Sequence, residues 1–193
     1  TGVQTCALPI LMSPDALDKL TEAAAKAGAT LVVVDPNPID TAWTDRPSEP
    51  THAVVPHDVA YAGESSSSKR ARLGRALAEQ KIDAAVITSP ASIAWLFNIR
   101  GGDVSRTPLP LGRAFLFSDG QAELFLHPAK IGPELGQHLG NEVTLRPQNE
   151  LERRLAKLEG KRVSLDPSAA SSWFFNTLKK GGAEVVRGAD PVM

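Results

Sequence analysis

From residue 69 onward, short apolar runs of strand length alternate with segments of helical period, and the alternation breaks once, at Asp119-Gly120. The runs at 83–88, 113–118, 121–126, 142–145, 162–165 and 184–186 are rich in Val, Ile, Leu and Phe. That composition suits strands buried in a sheet. Between them, apolar residues recur every three or four positions, as an amphipathic helix requires. Asp119-Gly120 is the dipeptide of a two-residue hairpin turn. The predicted order is α-β-α-β-β-α-β-α-β-α-β. One antiparallel hairpin among alternating units implies an α/β fold, a mixed β-sheet with helices packed on it.

Individual helices carry start and stop signals. Ser89-Pro90 begins an apolar helix through Phe97, and Lys69, Arg70, Arg72 and Arg75 are expected to form a solvated basic face on the helix at 69–81. That helix should turn Leu73, Ala76, Leu77 and Ala71 inward. A helix is expected over 130–139, interrupted by Gly132-Pro133 so that Pro133 is an alternative start, and Asn149 with Glu152 reads as a capping pair for Leu151, Leu155 and Leu158. A helix at 168–180 ends at Gly181-Gly182.

The first third of the chain is different. Residues 1–10 resemble the translation of a sequencing-library adapter and are set aside from fold reasoning. They hold the only cysteine, Cys6, so the remainder has no thiol for a disulfide or metal, which fits a reducing compartment such as the cytoplasm. Thr1 is no initiator Met, so the natural start is expected to be missing or replaced. Ser13-Pro14-Asp15 starts a helix with Leu17, Leu20 and Ala24 on one face, and a buried strand at 30–34 follows, stopped by Asp35-Pro36. A short helix spans 39–43. One helix and one strand cannot bury a core, so 11–43 is expected to be the end of a domain that begins earlier. The proline-rich stretch 44–66 is a semi-rigid linker, in which His52 and His57 are solvated.

Charge and motifs exclude much. The net charge is −1, with 42% hydrophobic and 22% charged residues, which favours neither nucleic acid nor an anionic membrane as partner. No apolar run approaches the roughly 20 residues that span a bilayer, and no signal peptide is visible. Phosphate-binding glycine loops, nucleophile elbows and zinc motifs are absent from the sequence.

One stretch combines apolar and polar signals abruptly: Ser92-Ile93-Ala94-Trp95-Leu96-Phe97-Asn98-Ile99-Arg100-Gly101-Gly102-Asp103-Val104. The glycine pair would let a tight loop aim Arg100 and Asp103. The same pattern also reads as a helix end with a glycine stop and a surface ion pair.

This stretch, with 43–47, 56–63, Lys69 and Arg72, and the closing Asp190-Pro191-Val192-Met193, resembles the three-domain Xaa-Pro aminopeptidases of the creatinase/prolidase superfamily. The resemblance runs from about residue 11 to 193. It implies that 11–43 ends a first creatinase N-terminal-like domain, that 67–188 is a second, and that 189–193 opens into a catalytic domain. In that family, two Asp, one His and two Glu hold two divalent ions, usually manganese, which activate water. None of those motifs occurs in this sequence, so this chain alone is expected to be inactive and to bind no metal. Proline-containing peptides, the protein's own catalytic domain and a second copy of the chain are the implied partners. Arg100 and Asp103 would lie near the substrate, or would only brace the domain. A second class of function stays open: a non-catalytic binding or scaffold module of a superfamily relative.

Overall fold

The computed structural model describes residues 4–7, 12–34 and 38–193. In chain order the strands and helices are β1 (Gln4–Ala7), α1 (Pro14–Lys26), β2 (Thr30–Val33), α2 (Pro38–Ala42), β3 (Val55–Pro56), α3 (Val59–Ala62), α4 (Ser66–Glu79), β4 (Ala84–Ile87) and α5 (Pro90–Phe97). They continue as β5 (Ile99–Arg100), β6 (Arg113–Phe117), β7 (Ala122–Leu126), α6 (Pro133–Leu139), β8 (Val143–Pro147), α7 (Leu151–Ala156), β9 (Arg162–Leu165), α8 (Ser172–Lys180) and β10 (Glu184–Arg187). Leaving aside the two-residue β5, the order from α4 onward is the one the alternation predicts.

A six-stranded mixed sheet runs β10-β9-β4-β6-β7-β8. β4 is its pivot. It pairs antiparallel with β6 on one side and parallel with β9 on the other. The chain thus leaves β4 toward β6 and returns on its far side. β6 and β7 form the hairpin, β8 joins β7 in parallel, and β10 joins β9 in parallel.

Strand alternation sorts side chains to two faces. Ala85, Ile87, Ala114, Leu116, Leu124 and Leu126 join Leu73 and Leu77 of α4, Ile93, Leu96 and Phe97 of α5, and Leu135 and Leu139 of α6 in one core. Val86, Phe115, Phe125, Val163 and Leu165 meet Leu155, Phe174, Phe175 and Leu178 of α7 and α8 on the other face. Glu123 shares this second face, and there it is 5% exposed. Arg146 and Arg154 both pair with its carboxylate.

Several expectations need correction. Lys69 and Arg70 are not on a solvated face: each is 2% exposed. Ser66, Lys69 or Arg70, Leu73 and Leu77 follow helical spacing, so both cations lie on the inward stripe. They are kept there by partners. Lys69 Nζ donates to Trp95 O at 3.0 Å and Asn98 Oδ1 at 2.7 Å, and Arg70 Nη1 donates to Gly120 O at 2.7 Å. Ala71 is exposed and Ala76 only half-buried. The hairpin loop has three residues rather than two, because Phe117 N donates to Gln121 O beyond the dipeptide. Gly120 takes φ +85° there and lies against Ala71.

Asn149 and Glu152 form no capping pair. A 3-10 turn at Gln148–Glu150 precedes α7, whose start has no side-chain cap. α8 begins at Ser172, since Asp166 Oδ1 accepts from the Ser168 amide and hydroxyl and holds that segment in a turn.

The first third packs on the sheet domain at few points. Ser13 caps α1, Gly28 follows it at φ +67°, and Leu20 on its expected inner face is 47% exposed. Thr30 of β2 is exposed and Leu31 and Val32 only half-buried, and β1 pairs with β2 in parallel. The expected stop at Asp35-Pro36 lies outside the described residues. Asp15 N donates to Pro167 O and Ser172 N to Met12 O, which ties α1 to the loop before α8. The 44–66 stretch contains α3 and the first residue of α4, and it is stitched to the domain. Val54 is 3% exposed within the core, and Val55 and Pro56 pair with Arg100 and Ile99.

Candidate functional site

The site builds from the end of α5. Ser89 caps the helix, and Ile93, Ala94, Leu96 and Phe97 are buried, which leaves Trp95 at 37% exposure. The stop is Asn98 rather than a glycine. It takes the left-handed conformation, φ 49° and ψ 56°. Its side chain accepts from Lys69 and donates to Glu64 O at 2.9 Å. The Lys69 ammonium also sits 4.1 Å from the Trp95 ring centroid. Burial pulls the Lys69 ammonium below its ordinary range, while Glu64 opposes that shift.

Arg100 follows on β5, half-buried. Its guanidinium donates to Ile99 O at 2.9 Å and Ala94 O at 3.4 Å. Among the described residues no carboxylate pairs with it. It therefore keeps unused donors at the end of α5.

Asp103 is placed otherwise. Its side chain is 0% exposed and pairs with Lys130 Nζ at 2.7 Å, itself 2% exposed. The same oxygen accepts from Leu111 N at 2.7 Å, and Lys130 donates to Leu111 O at 3.0 Å. Asp103 and Lys130 thus pin the loop to the start of β6. His52 Nδ1 approaches the other carboxylate oxygen at 3.7 Å. Burial alone would raise the Asp103 carboxyl; the Lys130 ammonium and the Leu111 amide outweigh it and hold the group below its ordinary range. The surface ion pair read from the sequence is absent, since Asp103 turns inward to Lys130.

The glycine pair acts by closeness of approach rather than by backbone conformation. A Cβ on Gly101 would lie 2.9 Å from Pro110 Cα, and one on Gly102 would lie 3.2 Å from the His52 ring. Lys130 is the partner the sequence hid: it lies 27 residues from Asp103 and closes a short 3-10 turn, Pro128–Lys130, rather than opening the helix expected at 130–139, since α6 starts only at Pro133.

A second concavity opens at the pivot. Thr88 just past β4, Gly112 and Arg113 entering β6, Ala169 after β9, and Trp173 and Phe174 in the first turn of α8 line a crevice of about 750 Å³.

Among the described residues no three His, Cys, Asp or Glu side chains gather as metal ligands. No helix among them is long and apolar enough to cross a membrane.

The fold is an α/β unit, a mixed sheet with helices on both faces. Residues 45–193 match the Creatinase/Prolidase N-terminal domain, and the chain belongs to that family. It is similar to the "Probable Xaa-Pro aminopeptidase P" of Aspergillus niger, 33% identical over 187 residues, covering 92% of this chain and 30% of that protein. The protein of the same name in Penicillium rubens is 31% identical over 192 residues, covering 95% of this chain and 31% of that one. The fold is similar to that of the X-prolyl aminopeptidase from Caenorhabditis elegans, described as a cytosolic enzyme with a di-nuclear active site. There the TM-score is 0.84 at 26% identity, over 97% of this chain and 32% of that one. The chain spans about a third of the length of the relatives it matches.

Proposed function

We propose that this chain is the N-terminal, non-catalytic part of a dimetal Xaa-Pro aminopeptidase, an enzyme that removes the first residue from peptides with proline second. The observation that carries this reading is the match to the C. elegans X-prolyl aminopeptidase over 97% of the chain at TM-score 0.84. Residues 11–43 end a first domain, 44–66 link it to a second at 67–188, and 189–193 lead into the catalytic domain. The protein works in the cytoplasm, two divalent ions, manganese among the candidates, sit in the catalytic domain, and the whole enzyme assembles as a dimer.

The chain's own contribution is access and orientation. Arg100 presents unused donors at the end of α5, which suits a peptide carbonyl or carboxylate. The buried Asp103–Lys130 pair holds the loop that carries it, so Asp103 acts as a positioning residue. The test compares the full-length parent with this chain, each purified and loaded with manganese, on an Xaa-Pro peptide. The parent releases the first residue and this chain releases none. Turnover by the chain alone, or a full-length parent inert toward Xaa-Pro peptides with its metals bound, overturns the reading.

A further inference from the structure

The crevice at the β4 pivot holds a cation whose role nothing above explains. Parallel β4 and β9 end there, and β6, antiparallel to β4, begins there. A crevice outside the carboxyl ends of strands, where the chain order reverses, is where open α/β sheets take ligands. Its volume, about 750 Å³, falls within the range of small-molecule sites, roughly 300–1,000 Å³.

Arg113 stands in its wall. The guanidinium is half-buried, lies 5.9 Å from the Phe174 ring centroid, and donates to Gly112 O at 2.6 Å. No carboxylate among the described residues lies within ion-pair distance. Burial pushes the guanidinium below its ordinary range, and only the field of Glu49 opposes this. The two rim acids, Glu49 and Glu152, are both exposed, so water screens them. A half-buried guanidinium with no carboxylate partner keeps donors free for an anion entering the crevice.

Two further features agree in sign and shape. Ser171, the N-cap residue of α8, makes no side-chain cap hydrogen bond, so the positive end of a nine-residue helix lines the same crevice. Trp173 and Phe174 add an edge-to-face aromatic wall, centroids 5.0 Å apart.

We infer that this crevice binds a small organic carboxylate carrying an apolar or aromatic body, with Arg113 as its anion-binding residue and Trp173 and Phe174 as its apolar wall. A free acid and the C-terminus of a short peptide share this chemistry.

The test is titration of the isotopically labelled 193-residue chain, followed by the Trp173 indole and Gly112 amide resonances. Phenylacetate represents the free acid and acetyl-Ala-Phe the peptide end. Saturable shifts are expected with at least one of them, and the tighter of the two identifies the source. Phenylacetamide, which lacks the charge, shifts neither resonance. Arg113→Gln weakens binding by about tenfold or more, while the melting temperature holds or rises. Arg113→Lys keeps the charge without the planar fork and weakens binding less. Equal binding of phenylacetamide, unchanged binding in Arg113→Gln, or shifts with inorganic phosphate alone would overturn the assignment. A fall in melting temperature with no loss of binding would instead make Arg113 a brace.

Discussion

Asp103 and Lys130 show how a single pair governs a loop. Both side chains are sequestered, so removing one leaves the other as an uncompensated buried charge. Asp103→Asn or Lys130→Met alone should cost about 3–5 kcal/mol, whereas the double substitution should cost distinctly less than the sum. Denaturant unfolding of the three variants measures this; additive losses would deny the coupling. The sign of the pH dependence follows from the lowered Asp103 carboxyl. A carboxyl held below its unfolded value contributes stability above that value, near pH 4, and loses it as pH falls through the folded one. The wild-type chain should lose this increment on acidification, and the double variant should lack it. Matching acid profiles of the two would remove the pair from the account.

At the scale of elements, the contact between α4 and the hairpin is the tightest test. A Cβ on Gly74 would lie 2.8 Å from Gly120 N and 3.0 Å from Phe117 O. Backbone cannot yield as a side-chain tip can, so Gly74→Ala should destabilise by about 1–3 kcal/mol despite its better helix propensity. A gain in melting temperature would show that α4 sits further from the turn.

Legibility divided along the same physical lines. The six strands of the main sheet, the place of the hairpin and the capped starts of α1 and α5 depend on neighbours in sequence, and the sequence showed them. Lys69 and Arg70 were misread because charge suggests solvent, although their spacing with Leu73 and Leu77 marked the inner stripe. Glu123 with Arg146 and Arg154, and Asp103 with Lys130, depend on strand register and loop closure, which local patterns do not carry. The run through Asn98 and Arg100 did mark the loop, but which of its charges turns inward was set by a lysine in a distant turn.

At the scale of the whole molecule, the sheet domain is a frame that holds two features at its margins: the pinned loop after α5 and the crevice at the pivot. The α1–β2 unit adds little to that frame, and its half-exposed apolar stripe agrees with the proposal that it closes a preceding domain. The central claim is that the loop serves a catalytic domain that takes Xaa-Pro peptides. It is tested most directly by measuring kcat/KM of the full-length parent with Arg100→Ala against wild type, alongside the melting temperature of each. The account predicts a fall in kcat/KM of about tenfold with the melting temperature nearly unchanged, and partial recovery in Arg100→Lys. Unchanged kcat/KM, with or without a lowered melting temperature, would contradict it and leave Arg100 as a brace for the end of α5.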